Sequence, residues 1–410
     1  MLLFFVVFIF IILHIQGLAR FIFFGTSETT YYTFTTTYLY NRSIATQSLI
    51  ISCACAAGFA LGYALFYRKR NQPRIDPAVK VDLKPFRTAI ALFIVTGVLQ
   101  IISDTILVVI TRLDYNTIVD IKFNHPFAFQ SRTIFLVLFS YLLLNIPFAQ
   151  LWKRREFRFF RLITLLYMVF TVLLQFRSEI FEFAAIACFA HLMWNGDKVK
   201  LKYVVLVICS LLGPNLIVLG RLGFPTDPAV LMKGLFSFEY STLFNNILSE
   251  AVSKGQDLRN GITFLPSLVL LIPSPLRDVL GIEVAKSTYY ADIASSADVL
   301  GGGFSFVAEM FSNFGWFAPL VFAVLGALIG KMNSGASRVG QVSMVYATAP
   351  LIYEYFILVF RNDFGVFVKS VIQIFVIALL IEFVRRLKLV QGPVKPRLEL
   401  NAISNVRGSA

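Results

Sequence analysis

Long apolar runs constrain this chain more than any other feature of its sequence. Ten stretches of about 20 mostly apolar residues recur along its 410 residues, and a helix of that length crosses the roughly 30 Å hydrocarbon core of a bilayer. The chain is 57% hydrophobic and 15% charged, a balance that excludes an ordinary soluble domain. We therefore expect an all-α polytopic membrane protein. The expected spans are residues 2–18, 47–67, 87–107, 131–151, 157–176, 178–195, 201–220, 314–332, 342–360 and 366–385.

The spacing of these runs divides the chain into four parts. The expected parts are residues 1–220 with seven spans, 221–313 as one long outer loop, 314–390 with three spans, and 391–410 as a tail. A loop of this length is too long for a simple connection and indicates function. Its apolar segment 261–273 is too short and too rich in proline to cross the membrane, so we expect re-entrant or amphipathic helices in the loop. A short helix is expected over 304–312, directly after three glycines.

The basic residues orient the spans. Lys and Arg cluster in alternate connections, and such connections face the cytoplasm. We therefore expect both termini in the cytoplasm, with the first run retained as a span and not cleaved as a signal peptide. Orientation and the attraction to anionic headgroups explain the net charge of +14 without a nucleic-acid partner. The basic connections are residues 68–87, 152–161, 196–202, 331–341 and the stretch from Arg385 onwards.

Several kinds of chemistry leave no trace in the sequence. It has no Walker A loop and no G-x-S-x-G or kinase motif. Its four cysteines lie in apolar runs, which indicates core residues and not a disulfide framework. Its three histidines are scattered, so we expect neither a protein-built metal site nor a cofactor. Any substrate must then arrive already activated.

Three arginines stand where an apolar run ends on the face with few other cations: Arg177, Arg221 and Arg361. A guanidinium at the edge of the hydrocarbon core is costly. Three on one face indicate an anionic ligand, and phosphate is the leading candidate because the planar group grips two oxygens at once. Each arginine also has a structural interpretation. Arg177 or Arg221 could anchor a helix at the interface, and Arg177 could pair with Glu179, or Arg361 with Asp363.

The segment 302–315, GGFSFVAEMFSNFG, is followed by a span that contains Gly326 and Gly330. This segment resembles the O-antigen polymerase family, the Wzy-type polymerases of oligosaccharide repeat units. The seven-plus-three layout, the long outer loop and the outer-face arginines are similar too. The resemblance implies a GT-C-like, metal-independent, inverting glycosyltransferase of lipopolysaccharide O-antigen biosynthesis. It would polymerise undecaprenyl-diphosphate-linked repeats at the periplasmic face of the bacterial inner membrane. The implied partners are the lipid-linked donor and acceptor, membrane lipids and a chain-length regulator protein.

The resemblance also implies roles for individual residues. Negative charge builds on the departing diphosphate, and preorganised cations stabilise it, so Arg177, Arg221 and Arg361 are expected to form a clamp. Glu309 is the expected base for the acceptor hydroxyl, with Asp363 second. Further substrate contacts are expected from Arg277, Lys286 and Asn313. The structural alternatives are a solvated surface carboxylate for the base, solvated loop cations, and a helix cap or kink for the asparagine.

Three other functions compete with polymerisation. An O-antigen ligase would move finished chains onto the lipid A core, but the segment 302–315 is of the polymerase type. A flippase for lipid-linked oligosaccharide should carry mid-span cations lining a cavity and halves related by a repeat, and the sequence indicates neither. An acyltransferase would need a reactive histidine on the outer face, where the sequence offers only His125.

Overall fold

The structure is a computed structural model of the full chain. It describes residues 3, 6–7, 10–25, 28–31, 34–68, 81–112, 117, 127–174, 177–194, 241–254, 263, 269, 272, 274–282, 305–359 and 364–387. The expected seventh span, 201–220, and the tail 391–410 lie outside the described residues, as does most of the long loop.

The regular secondary structure of the described residues is helical apart from one pair of β-strands. Strands β1 (Glu28–Tyr31) and β2 (Phe34–Thr37) pair antiparallel, with Glu28 opposite Thr37. They lie in the expected outer connection between the first two spans. The helices are α1 (Gln16–Phe24, preceded by a π-helical turn, Ile11–Ile15), α2 (Arg42–Phe66), α3 (Arg87–Thr111), α4 (Phe127–Asn145), α5 (Phe148–Lys153), α6 (Arg158–Leu173), α7 (Arg177–Trp194), α8 (Ser241–Ser253), α9 (Ser274–Leu280), α10 (Phe306–Phe314), α11 (Ala318–Ala336), α12 (Met344–Ala347), α13 (Ala349–Val359) and α14 (Phe364–Arg386).

Four helical stretches among the described residues are long and apolar enough to cross a membrane. They correspond to the expected second, third, eighth and tenth spans. These stretches are Arg42–Phe66, Lys84–Thr111, Phe306–Ala336 and Phe367–Arg386, and two shorter apolar stretches are Arg132–Asn145 and Glu182–Trp194. In the third stretch, α11 is the part that corresponds to the eighth span. Membrane-spanning character therefore rests on four helices, not on all ten expected runs.

Two expected spans are interrupted where the sequence has a proline. The run 131–151 breaks between α4 and α5 at Pro147, and the run 342–360 breaks at Thr348, just before Pro350. A proline lacks the amide hydrogen and clashes with the preceding turn, so a helix ends or restarts there. Window counting treated both runs as continuous helices, which was wrong.

Helices α2 and α11 form the tightest helix pair in the described structure. They run parallel, and each carries two glycines four residues apart, Gly58 and Gly62 on α2 and Gly326 and Gly330 on α11. A Cβ at Gly62 would lie 1.9 Å from the Ala323 carbonyl oxygen, and a Cβ at Gly326 would lie 2.2 Å from the Phe59 carbonyl oxygen. Such small-residue stripes let backbones touch, which is how helices associate in lipid.

The helix ends that flank the five basic connections meet at one end of the bundle. Main-chain and side-chain hydrogen bonds tie these ends to one another across the chain. These hydrogen bonds run from Arg68 N to Ser334 Oγ, Val81 N to Gln150 Oε1, Trp194 Nε1 to Leu143 O, Gly340 N to Leu144 O, and Arg385 to the Tyr141 hydroxyl. The alternation of basic and non-basic connections in the sequence thus corresponds to two ends of the bundle. We call this one the basic end.

Candidate functional site

The segment that carries the family resemblance folds into α10, within two residues of the expected helix over 304–312. Its N-terminus is capped by Ser305, whose side chain accepts a hydrogen bond of 3.3 Å from the Ala308 amide. Such a cap satisfies one of the free amides of the first turn. The helix ends at Gly315, where φ is +53°, a conformation that favours glycine.

Helix α10 folds back against α11 and does not extend it. The rings of Phe306 and Phe322 are 5.2 Å apart between centroids, whereas in a straight helix sixteen residues would separate them by about 24 Å. The bend at Gly315 and the 3-10 turn after it therefore reverse the chain. The N-terminus of α10 lies inside the bundle, level with Phe322, and Phe314 lies at the end away from the basic end. The re-entrant backbone expected at 261–273 lies almost wholly outside the described residues and stays a prediction.

Residues on every side of α10 are buried, which a surface helix cannot satisfy. Phe306, Val307, Ala308 and Met310 are fully buried, and Glu309 is only 3% exposed. The alternative of a solvated surface carboxylate for Glu309 is therefore wrong. A carboxylate in such surroundings needs hydrogen-bond partners, because an uncompensated buried charge is strongly destabilising.

Thr263 supplies one of those partners and links the two site residues of α10. Its hydroxyl donates to Glu309 Oε1 at 2.9 Å and accepts from Asn313 Nδ2 at 2.6 Å. Asn313 Nδ2 also donates to the Glu309 carbonyl oxygen at 2.9 Å, one turn back. All three side chains are buried. The arrangement fixes the Glu309 carboxylate in one position, where it can accept a proton or a hydrogen bond.

Asn313 therefore has a structural role, whereas a contact with sugar was expected. It closes the last turn of α10 just before the Gly315 bend and holds the loop at Thr263. The expected cap or kink at the start of the eighth span describes this geometry well. Thr263 is 7% exposed, so this residue of the expected loop is buried in the bundle.

Helix α8 packs against both α10 and α2, and it brings a second set of buried polar side chains. Ser249 shares hydrogen bonds with Tyr38 at 2.6 Å and with Ser48 at 3.0 Å. Asn245 lies one turn before Ser249 on α8, and Ser52 lies one turn after Ser48 on α2. Asn245 and Ser52 are fully buried, and neither of these two side chains has a hydrogen-bond partner among the described residues.

Of the remaining expected site residues, the structure describes the side chain of Arg277 alone. Arg277 lies half-buried in the last turn of α9, and no hydrogen bond or ion pair joins it to Glu309 or Asn313 within the described ranges. Arg177 is the first residue of α7, and only its backbone is described. Asp363, Arg221, Arg361 and Lys286 lie outside the described residues, so the arginine clamp stays a prediction.

Sequence reasoning missed a group of buried charged and polar side chains between the helices of the first half. Arg132 on α4 forms an ion pair with Glu182 on α7, and both are buried. On α3, Gln100 Nε2 donates to Asp104 Oδ1 at 2.9 Å. The signal was present, because each charged residue stands inside an apolar run, and such residues are costly enough to have a reason. The positive charge of Arg132 is matched by the negative charge of Glu182.

Metal ligands are not assembled in this part of the chain. No three His, Cys, Asp or Glu side chains come together within the described ranges.

Comparison with known proteins adds no relative. No family model matches the chain, no curated protein matches it, and no solved structure matches it.

Proposed function

We propose that this chain is a membrane-embedded glycosyltransferase that polymerises lipid-linked oligosaccharide repeats, with Glu309 as its base. The observation that carries the proposal is a buried carboxylate inside the bundle, on the folded-back helix α10, that accepts a hydrogen bond from the Thr263 hydroxyl of the long loop. That helix is also the segment that resembles the O-antigen polymerases. A fixed acceptor of this kind suits proton removal from an incoming hydroxyl.

The location of Glu309 supports a reaction at the membrane face opposite the basic end. Phe322 is twelve residues from Ser334 at the basic end, or about 18 Å along α11 at 1.5 Å per residue. Glu309 lies beyond Phe322, towards the bend at Gly315. If the basic end faces the cytoplasm, as the charge pattern predicts, Glu309 lies on the periplasmic side of the bundle.

In the proposed reaction, Glu309 takes the proton of the acceptor hydroxyl while that oxygen attacks the anomeric carbon of the donor sugar. The new glycosidic bond forms as the bond to the undecaprenyl diphosphate breaks, and the diphosphate leaves with the bonding electrons. Attack from the opposite side inverts the anomeric centre. Charge develops on the leaving diphosphate, and Arg177, Arg221 and Arg361 are the proposed cations that stabilise it.

Deletion in the native host, followed by a lipopolysaccharide gel, tests the proposal. We expect core carrying a single repeat and no ladder of longer chains. Loss of all attached glycan would instead identify a ligase, and loss of export would identify a flippase. Complementation with Glu309→Gln should leave the single-repeat pattern, whereas Glu382→Gln should restore the ladder. Glu382 is a matched control because it is a partly buried, ion-paired carboxylate at the basic end.

A further inference from the structure

A cavity of about 670 Å³ opens at the basic end, beside the start of α3. Its walls come from the segment before α3, from the first turns of α3 and from the connection that follows α5. They combine charged side chains at one side with apolar side chains along α3. The residues that matter for its chemistry are Lys84, Arg87, Ile90, Ala91, Ile94 and Arg154.

Two of the cations in this cavity are available to a ligand. Lys84 and Arg87 are exposed, and neither side chain forms an ion pair within the described residues. Arg154 is already engaged, because its guanidinium donates to the Val81 carbonyl oxygen at 3.0 Å and pairs with Glu156 at 3.2 Å. Arg154 therefore joins parts of the cavity wall to each other.

The acidic groups of the cavity are also engaged. Glu156 pairs with Arg154, and Asp82 accepts a hydrogen bond of 3.0 Å from the Lys84 amide. The cavity lining carries three cations, Lys84, Arg87 and Arg154, against two carboxylates, so its net charge is positive. This balance favours an anionic group.

The apolar wall continues into the surface of α3 that faces outward. Ile90, Ala91 and Ile94 line the cavity, and further along the same helix Val95 and Val98 are 55% and 44% exposed. This helix is one of those long and apolar enough to cross a membrane. A ligand with its charge at Lys84 and Arg87 can therefore extend an apolar chain along α3 without leaving hydrocarbon.

We propose that this cavity binds an anionic phospholipid. Its phosphate lies at Lys84 and Arg87, and one acyl chain lies along Ile90, Ala91 and Ile94. Basic pockets between membrane helices bind anionic headgroups in this way. A zwitterionic headgroup fits less well, since its own ammonium group opposes these two cations. The site is at the opposite end of the bundle from Glu309 and is independent of the proposed polymerase activity.

Native mass spectrometry of the purified full chain tests the proposal. Phosphatidylglycerol and phosphatidylcholine of equal chain length would be added separately, and retained lipid would be counted. Phosphatidylglycerol is expected to be retained in preference, and Lys84→Gln with Arg87→Gln should weaken its retention by on the order of tenfold or more. The matched control is Lys331→Gln with Arg386→Gln, which removes the same charge at the same end outside the cavity and should retain the lipid.

A second experiment distinguishes binding of the lipid from binding of free phosphate. Ala91 is exposed, so Ala91→Trp should fold normally while filling the apolar wall. It should abolish lipid retention, and inorganic phosphate should not compete with the lipid on the unsubstituted chain. The proposal would be overturned if the two lipids were retained equally, or if the control double variant lost as much lipid as the Lys84 and Arg87 double variant. Full competition by inorganic phosphate would also overturn it.

Discussion

Replacing Gly62 with alanine should separate α2 from α11 and lower the stability of the whole bundle. The new Cβ would lie 1.9 Å from the Ala323 carbonyl oxygen and 2.7 Å from its carbon. Both are backbone atoms, so no side chain can rotate away. The helices must move apart by about 1.5 Å to restore ordinary contact, which also loosens the neighbouring contact at Gly326. Overpacking of this kind costs about 1–3 kcal/mol.

The measurement is thermal unfolding of the purified chain in detergent, with near-ultraviolet circular dichroism as the signal. Gly62→Ala should lower the melting temperature by about 2–6 °C, since roughly 1 kcal/mol corresponds to a few degrees in a protein of moderate size. The control is Ala57→Val on the same helix, because Ala57 is exposed and has room for added methyl groups. An unchanged melting temperature for Gly62→Ala, or an equal loss for Ala57→Val, would refute the close packing of these helices.

Three further predictions concern buried polar groups. Thr263→Val should reduce the polymer ladder at normal protein level, because Glu309 and Asn313 lose a shared hydroxyl worth about 1–3 kcal/mol when buried. Thr263→Ser should restore the ladder on the same gel. Asn245→Leu should leave the melting temperature unchanged or raise it, because its amide has no hydrogen-bond partner among the described residues, and a clear drop would contradict this. Burial raises the pKa of Tyr38 to about 12 from the usual 10.0. Its contribution to stability should therefore be complete below about pH 10 and be lost as the pH rises through 12. Denaturant titrations at a series of pH values should show a smaller loss of stability with rising pH for Tyr38→Phe than for the unsubstituted chain.

The charge pattern predicted which helix ends lie together, although the orientation of the bundle in a membrane stays a prediction. Arg68, Arg154 and Arg385 belong to different connections, yet their neighbourhoods are joined by hydrogen bonds at one end. Helix limits were less predictable. Hydropathy windows average over single residues, so the breaks near Pro147 and Pro350 were lost, although proline itself carried the signal.

The candidate site was predictable in part. Glu309 and Asn313 were chosen from the segment that carries the family resemblance, and the structure joins them through Thr263. Thr263 could not be found from the sequence, because its role depends on a contact between residues 46 positions apart. The fold-back of α10 was equally hidden. A glycine in an apolar run is compatible with a straight helix, a kink or a reversal, and only packing against Phe322 decides among them.

Reconstitution of the purified chain with a labelled undecaprenyl-diphosphate-linked repeat tests the central claim most directly. Liposomes containing the chain and the repeat should yield a ladder of longer glycans together with one released undecaprenyl diphosphate for each linkage. Glu309→Gln should abolish both products while Glu382→Gln retains them. A ladder that persists in Glu309→Gln would contradict the role of that carboxylate. Transfer of the repeat across the bilayer with no new linkage would contradict the polymerase itself.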